Sequence, residues 1–366
     1  MIEEVINVKL TMLTSVHIGT GDEYLPTEYV IKGGYLHVLD KDNFMSYLIE
    51  SNQYDRFLAL CTISAPSAIF QIRKFVFDHF KEDFSAYKVQ VSKAVEENYF
   101  KNLTNYAQIS DRVISQLAIE KLARNTLNNE IYVPGSSFKG SFRTAILNYL
   151  SRDKKEQIEQ CILNHFQKNK QKHKKAPKNL ILEQCILQKR TAYDTSSDPF
   201  RAMKLSDLKL EKGKAFIEIA CNIKSIKYQK GGRGIPVKLE CIAPGSIFRG
   251  TMVINKTVFE EKYRQITGIK VSLNKDIIIK ACRYHYQNVW EEEKRRFGID
   301  VDTTTNFNSW APLTERLSNR PNAFFIKLGK HSGGIAVTVK DFRRVDPSTT
   351  WVTNQMPMGW CLVEFD

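Results

Sequence analysis

Residues 133–146 read VPGSSFKGSFRTAI, a stretch that combines a turn with the start of a helix. A short apolar run typical of a strand precedes it, and Pro134 and Gly135 then favour a turn. Its two glycines, three serines, lysine and arginine are residue types that bind phosphate. Their order differs from the nucleoside triphosphate loop G-x-x-x-x-G-K-[ST], because Lys139 precedes Gly140 instead of following it. This order argues against a P-loop ATPase.

The predicted helix has one apolar stripe and one cationic face. The stripe recurs at three- and four-residue spacing and consists of Phe138, Phe142, Ala145 and Tyr149. Lys139 and Arg143 lie near the helix N-terminus, where a cation costs about 0.3–1 kcal/mol. No acidic residue occurs between Glu130 and Asp153 to balance these charges. We therefore expect an external anion here; the alternative is a helix capped by Ser136 or Ser137 whose long side chains extend into water. The candidate anion ligands are Gly135, Ser136, Ser137, Lys139 and Arg143.

The charge of the chain is strongly positive and unevenly distributed. The formal net charge is +14, while residues 1–60 carry −5 and residues 121–260 carry +15. Such a concentrated positive field favours a polyanionic partner, through counterion release and electrostatic steering. The alternative is a protein that its charge merely keeps soluble.

Composition indicates a soluble globular protein. Hydrophobic residues form 42% of the 366 residues and charged residues form 26%. Without a signal-peptide pattern or a run of about 18 apolar residues, we expect a cytoplasmic protein with no membrane span. Seven scattered cysteines with no C-x-x-C pair predict reduced, mostly buried thiols. We find no pattern of metal ligands and no cofactor motif.

Alternating and helical segments predict an α+β fold with antiparallel sheets. Strands are predicted at 5–14, on both sides of Gly33 and Gly34, and at 131–133, 215–223, 237–243, 246–256, 324–327 and 359–365. Helices are predicted after Asp40 to about residue 51, over most of 66–124, from about 135, and over 274–298. Six lysines fall between residues 168 and 178, which predicts a mobile basic loop at about 165–180. Residues 133–146 and 243–254 share the string P-G-S-x-F-[KR]-G-[ST], a faint internal repeat.

A set of motifs in this order resembles the RAMP superfamily of CRISPR-associated proteins, in the branch of the fifth subunit of type III-A Csm effector complexes. The motifs are VHIGTG (16–21), PGSSFKGSFRTA (134–145), DPFRAMKLSD (198–207), CIAPGSIFRG (241–250), IKLGKHSGG (326–334) and MPMGW (356–360). The resemblance implies two ferredoxin-like, RRM-related domains, which we assign to residues 1–190 and 191–366. The first would contain the helical insertion (66–124) and the basic loop.

The resemblance also implies a function in antiviral defence. A subunit of this branch sits at the 3′-end side of the CRISPR guide RNA, caps the filament of backbone subunits and supports guide maturation. The implied partners are the guide RNA and the other Csm subunits, above all the backbone filament subunit. Whether host ribonucleases are recruited stays open.

Most of the further RNA-binding candidates lie in predicted loops, and each has two interpretations, as an RNA ligand or as a structural residue. Glycines let a backbone approach a ribose-phosphate chain closely, yet they also simply form turns. The candidates are Lys330, His331, Gly333 and Gly334 with Gly329 beside them, Lys230 and Arg233, Arg249, and Arg201. Arg201 either contacts phosphate or pairs with Asp198 or Asp207. Since no RNP-type aromatic run occurs, we expect recognition through phosphates and shape, with slight sequence preference.

Two functions compete. The first is a non-catalytic RNA-binding and assembly subunit. The second is a metal-independent endoribonuclease that trims guide RNA, with His17 and His331 as acid and base and Lys139 stabilising the phosphorane. A metal-dependent nuclease lacks an obvious carboxylate cluster, although Asp194, Asp198 and Asp207 are close in sequence. We favour the non-catalytic subunit.

Overall fold

A computed structural model describes most of the chain. The described residues are 2–65, 67–104, 117–168, 178–188, 195–224, 234–297, 317, 319–336, 339–343 and 347–366. The strands are β1 (Glu3–Met12), β2 (Gly19–Tyr24), β3 (Tyr29–Lys32), β4 (Tyr35–Leu39), β5 (Ser85–Val91), β6 (Ile119–Leu122), β7 (Tyr132–Val133), β8 (Met203–Leu205), β9 (Leu208–Lys212), β10 (Ala215–Lys224), β11 (Val237–Ile242), β12 (Ile247–Asn255), β13 (Ala323–Lys327), β14 (Thr349–Thr353), β15 (Met356–Pro357) and β16 (Trp360–Phe365). The helices are α1 (Lys41–Glu50), α2 (Tyr54–Cys61), α3 (Ala68–His79), α4 (Lys93–Thr104), α5 (Gly135–Ser151), α6 (Lys155–Lys168), α7 (Lys178–Leu187), α8 (Glu261–Thr267) and α9 (Lys275–Phe297).

The first sheet is built around the N-terminal strand. Its order is β13-β16-β1-β12-β9-β7, and β8 also pairs with β12. β1 alternates as its sequence predicts, because Ile6, Val8, Leu10 and Met12 are buried while the residues between them are more exposed. The helices α5 and α9 join this sheet in one core, and the Tyr286 hydroxyl of α9 donates to the α5 backbone. This core fixes the position of α5.

The second sheet has the order β2-β6-β11-β10-β5-β4-β3. Its pairs are antiparallel except β10 with β5 and β11 with β6, which are parallel. β14 continues along the far end of β10. One side of the sheet packs against α4 through Val95, Tyr99 and Leu103. The predicted antiparallel α+β character is thus confirmed, with two short parallel pairs added.

Strands from both halves of the chain enter both sheets. β1 lies between β12 and β16, and β5 lies beside β10. The predicted boundary after residue 190 falls in residues 189–194, outside the described residues. The assignment of two ferredoxin-like domains stays a prediction.

The interpretation of 66–124 as mainly helical needs correction. α3 and α4 are helices, but β5 and β6 are strands of the second sheet. The phenylalanine spacing that suggested one long helical region covers α3 and then Phe84, which lies in a separate short turn. β5 has its own alternating pattern, SAYKVQV, and lies between β4 and β10 in the second sheet.

The expectation of reduced thiols is wrong for one pair of cysteines. Cys161 on α6 and Cys185 on α7 form a disulfide across 24 residues of sequence. Cysteines so far apart give no local signal, because only the packing of α6 on α7 brings them together. The basic residues 169–177 between these helices lie outside the described residues. Within the described residues, no helix has both the length and the apolarity to span a membrane.

Candidate nucleic-acid interface

The start of α5 is capped by a carboxylate from another segment. The Gly135 N–H group donates to Asp207 Oδ1 at 2.8 Å, and neither serine caps the helix. A Cβ atom at residue 135 would lie 2.5 Å from the Leu205 carbonyl oxygen, so only glycine allows this approach. The alternative of a helix capped by Ser136 or Ser137 is therefore wrong, since Asp207 accepts from the helix end and neutralises its positive charge instead.

The charge of Arg143 is also balanced within the chain. Its guanidinium group donates to Glu183 Oε2 at 2.8 Å and to Asp198 Oδ2 at 2.9 Å, and it lies over the Phe200 ring. Burial alone would lower the pKa of Arg143, but the two carboxylates outweigh burial and raise it. No acid between Glu130 and Asp153 is needed to balance this charge, because the carboxylates come from distant segments.

Lys139 points the same way as Arg143. Its Nζ atom donates to the Met203 carbonyl oxygen at 2.7 Å. Burial lowers the pKa of Lys139, against the opposing charge of Asp198. Both cations thus hold the 198–203 segment against α5 instead of converging with the serines on one external anion.

A cavity of about 380 Å³ lies against another flank of α5, and we call it the cleft. It brings together two segments that the sequence suggested separately, the start of α5 and the loop after β13. The lining residues are Ile18, Gly19, Ser137, Gly140, Ser141, Thr144, Tyr286, Lys327, Leu328, Gly329, Lys330, Ser332 and Ala336. Within the described residues the Ser137 hydroxyl makes no hydrogen bond, so it is available to a ligand. A Cβ at Gly140 would meet no atom within 4 Å.

The loop after β13 is held against the first part of the chain. Gly329 has φ +87° and lies so close to His17 that a Cβ would be 2.3 Å from the His17 carbonyl oxygen. The Lys330 N–H group donates to that same oxygen at 2.9 Å. The Lys330 ammonium donates to Glu120 Oε2 at 2.7 Å, while 56% of the side chain stays exposed. Burial would raise the pKa of Glu120, but Lys330 outweighs burial and holds it below its ordinary value.

His17 and His331 approach each other beside the cleft, with ring centroids 6.2 Å apart. His17 is fully buried, and its Nδ1 atom lies 2.7 Å from the Glu240 carbonyl oxygen. His331 packs on Trp351, and burial lowers its pKa to about 4. Both imidazoles therefore serve the packing around the loop.

The remaining predicted residues lie outside the lining of the cleft or outside the described residues. Arg201 is exposed and donates to the Ser196 carbonyl oxygen. This hydrogen bond involves neither Asp198 nor Asp207, the two partners that the sequence suggested. Arg249 on β12 pairs with Glu211 and with Asp366 at 3.6 Å. Gly333, with φ +88°, and Gly334 continue the loop after β13. Lys230, Arg233 and Asp194 lie outside the described residues.

The sequence did not identify several residues of the cleft. Lys327 is fully buried, and its Nζ atom donates to the equally buried Glu293 Oε1 at 2.6 Å. The Trp360 indole N–H donates to the other oxygen of this carboxylate at 3.1 Å. A lysine in the apolar run FFIKL and a glutamate inside α9 were the available signals, because a charge at a core position needs a partner. Among the described residues, no cluster of three or more His, Cys, Asp or Glu could hold a metal ion.

Comparisons with known proteins agree on one family. The sequence model of the RAMP superfamily matches residues 9–330. A protein of Methanocaldococcus jannaschii named CRISPR system Cms protein Csm5 is 26% identical over 349 residues, which cover 91% of this chain and 72% of that protein. A protein of the same name from Streptococcus thermophilus is 26% identical over 241 residues, which cover 64% of this chain and 60% of that protein.

Two solved structures share the fold. A chain in the cryo-EM structure of a Csm–crRNA–target RNA ternary complex of a type III-A CRISPR-Cas system aligns with a TM-score of 0.64 and 20% identity, covering 98% of this chain and 100% of that chain. The crystal structure of T. onnurineus Csm5 aligns with a TM-score of 0.62 and 18% identity, covering 96% and 99%.

Proposed function

The chain belongs to the RAMP superfamily, and from this membership we propose that it is a non-catalytic, RNA-binding subunit of a type III-A CRISPR Csm interference complex. Its RNA ligand is the CRISPR guide RNA, at whose 3′-end side it caps the filament of backbone subunits and supports guide maturation. The names of the two curated relatives and the Csm–crRNA complex among the structural neighbours support this proposal.

The observation that carries RNA binding is the geometry of the cleft. It joins the first turns of α5 to a glycine-containing loop, and it offers the Ser137 hydroxyl and the exposed Lys330 ammonium as phosphate ligands. Gly140 adds no side chain to this wall of the cleft, and no atom lies within 4 Å of its Cβ position.

The predicted cations among the described residues divide into three groups. Arg143 and Lys139 are engaged within the chain, so we expect them to keep the cleft wall in place more than to bind phosphate. Lys330 and Arg201 are exposed and bind RNA directly in our proposal. Arg249, which is half-exposed beside Glu211, adds to the positive field.

Substitutions at Gly140 test the proposal, because one of them should tighten RNA binding, and misfolding would only weaken it. Its Cβ position opens into the cleft, and glycine in a helix is about 1 kcal/mol less favourable than other residues. Gly140→Lys and Gly140→Glu should therefore both fold at least as stably as the wild type. We expect Gly140→Lys to tighten binding to single-stranded RNA and Gly140→Glu to weaken it, each by about threefold to tenfold at low salt.

The measurement is fluorescence anisotropy with a labelled repeat-derived RNA, repeated over a salt series. Gly140→Ala is the matched control, since it adds the helix-forming Cβ without charge. Equal affinities of the lysine and glutamate variants would place the RNA away from the cleft and defeat the proposal.

The endoribonuclease alternative requires histidines that reach RNA. His17 is fully buried, and the pKa of about 4 leaves His331 neutral at pH 7, a form that cannot act as a general acid. We therefore expect no cleavage when the purified chain is incubated with repeat-derived RNA, in EDTA or in magnesium. Cleavage that disappears in His331→Ala would reverse this expectation.

A further inference from the structure

The two ring nitrogens of His17 have different surroundings. The side chain is fully buried, and its Nδ1 atom lies 2.7 Å from the Glu240 carbonyl oxygen. Because a carbonyl oxygen can only accept a hydrogen bond, Nδ1 carries a proton and donates to that oxygen. In the neutral ring Nε2 is therefore the unprotonated nitrogen, and it presents a lone pair.

This lone pair lies beside a carboxylate. The Nε2 atom is 3.3 Å from Glu120 Oε2, but the two groups are not aligned for a hydrogen bond, and among the described residues Nε2 has no hydrogen-bond partner. Two acceptors at this distance repel each other, whereas an imidazolium and a carboxylate attract each other. A proton on Nε2 of His17 would therefore turn a repulsive contact into an ion pair.

Lys330 competes with His17 for the same oxygen. Its ammonium donates to Glu120 Oε2 at 2.7 Å and supplies the positive charge that the carboxylate needs. Only 25% of the Glu120 side chain is exposed, so water solvates this carboxylate incompletely. Among the described residues the ion-pair partners of Glu120 are Lys330 and His17. When Lys330 turns to a phosphate, His17 is the partner that remains.

The other titratable groups around His17 and Glu120 are accounted for. Burial lowers the pKa of His331 to about 4, so this ring is neutral between pH 6 and pH 8. Burial raises the pKa of the Cys241 thiol, which therefore keeps its proton. The Glu240 carboxylate is engaged by the Arg124 guanidinium and the Tyr24 hydroxyl. A proton taken up at this point in that pH range consequently goes to His17.

We propose that His17 is a positioning residue for RNA binding, which takes up one proton when Lys330 leaves Glu120 for an RNA phosphate. The proton comes from solvent by way of the partly exposed Glu120 carboxylate and binds to Nε2. The charge of Glu120 is thus balanced by Lys330 without RNA and by His17 with RNA. His17 itself does not touch the RNA. This inference rests on the proposed contact between Lys330 and RNA, and it adds that the contact is linked to a proton.

The test is the number of protons that the full chain takes up on binding a repeat-derived RNA. Isothermal titration calorimetry at pH 7, in PIPES and in Tris at equal ionic strength, gives this number, because the two buffers differ in their heat of ionisation. Fluorescence anisotropy at pH 6 and pH 8 gives the corresponding change in affinity. We expect proton uptake by the wild type and an affinity about threefold to tenfold higher at pH 6 than at pH 8.

Two variants should remove this linkage in different ways. His17→Asn keeps an N–H donor near the Glu240 carbonyl oxygen but has no second ring nitrogen, so it should lose the proton uptake and the pH dependence. Glu120→Gln removes the charge for which Lys330 and His17 compete. It should lose the pH dependence as well, and it should bind RNA about threefold to tenfold more tightly than the wild type at pH 8, because Lys330 is released.

Two matched controls should keep the pH dependence of the wild type. Glu23 lies opposite Glu120 in the pairing of β2 with β6, so Glu23→Gln removes the same charge from the same region without touching Lys330. His331 has φ +69°, a conformation that asparagine tolerates, so His331→Asn removes the neighbouring imidazole with little backbone strain.

The outcomes separate this inference from RNA binding itself. RNA binding by the wild type without proton uptake overturns the inference alone. So does a pH dependence that survives in Glu120→Gln or disappears in His331→Asn. If His17→Asn does not fold, the comparison of Glu120→Gln with Glu23→Gln still gives the answer. A wild type that binds no RNA defeats the proposed function, and the inference with it.

Discussion

Gly329 is subject to two constraints, on its backbone conformation and on the space for a side chain, and a comparison with Gly34 separates them. Its φ of +87° disfavours a side chain, and a Cβ would also lie 2.3 Å from the His17 carbonyl oxygen. Gly34 has a similar φ of +78° with no atom within 4 Å of the Cβ position. We expect Gly34→Ala to lower the free energy of unfolding by about 1–2 kcal/mol from backbone strain alone.

Gly329→Ala should cost clearly more than Gly34→Ala, because it also breaks the bond from the Lys330 N–H group to His17. Urea unfolding of the two variants gives the difference. RNA affinity should fall in Gly329→Ala alone, since Gly329 lines the cleft and Gly34 does not. Equal losses of unfolding free energy in both variants would mean that the loop at Gly329 rearranges around the new side chain without further cost.

His285 on α9 makes the stability of the protein depend on pH. It is 3% exposed, and burial lowers its pKa to about 4, against the hydrogen bond that its Nε2 atom makes to the Ala336 carbonyl oxygen at 3.0 Å. The unfolded chain, with an ordinary pKa near 6.5, binds this proton more readily. Stability from the neutral ring is therefore complete above about pH 6.5 and is lost as the pH falls towards 4.

His285→Gln removes this titration and keeps an N–H donor near the same position. Between pH 7 and pH 5 the wild type should lose about 2 kcal/mol more of its unfolding free energy than the variant. Urea unfolding at the two pH values measures the difference. Parallel losses in both proteins would show that the ring is protonated without penalty in the fold.

The sequence predicted the residue types of the site better than their partners. Residues of the 133–146 motif and of the loop at Lys330 both line the cleft, but the sequence did not place the two segments side by side. The charge argument for Arg143 failed because it counted acids only between Glu130 and Asp153. Glu183 and Asp198 reach this arginine through folding, and no count within a sequence window contains that information.

At the scale of elements, one string forms two different structures. The shared P-G-S-x-F-[KR]-G-[ST] opens the helix α5 at Gly135 but leads into the strand β12 at Ile247. The residues that follow decide the difference. After residue 138 the apolar side chains recur every three or four residues. Phe248, Met252 and Ile254 are buried and lie an even number of residues apart, which places them on one face of a strand. The internal repeat therefore marks the start of an element and does not determine whether that element is a helix or a strand.

The buried pair of Lys327 and Glu293 joins β13 to α9 behind the cleft. Lys327→Met would leave the Glu293 carboxylate in the core with Trp360 and Thr350 as its remaining donors among the described residues, at 3.1 and 3.4 Å. We expect a loss of about 3–5 kcal/mol, the usual cost of an uncompensated buried charge. The double variant Lys327→Met/Glu293→Leu should be more stable than the single variant, because neither charge remains.

Chemical denaturation of the single and the double variant measures the two unfolding free energies that are compared. A single variant as stable as the wild type would show that Glu293 becomes protonated or hydrated at little cost. A double variant worse than the single one would show that the pair contributes more than charge balance.

At the scale of the whole molecule, the sequence predicted strands without their neighbours. Alternation in β1 indicates which face is buried, but β1 pairs with β12 and β16, which lie more than 230 residues away along the chain. Register and partner depend on contacts that only the folded chain contains. The cleft has the same origin, since α5 comes from the first half and the loop after β13 from the second.

This interleaving gives the predicted division at residue 190 a direct test. A fragment 1–190 would expose both edges of β1, and a fragment 191–366 would leave a gap between β12 and β16 where β1 belongs. Unpaired central edges and the open core of the first sheet should leave each fragment aggregated or unfolded. Co-expression should restore a soluble complex, because the two fragments together complete both sheets. Circular dichroism and cooperative urea unfolding of the separately expressed fragments provide the measurement. A cooperative transition in either fragment alone would show that the division marks true domains, with the strand exchange as a late docking step.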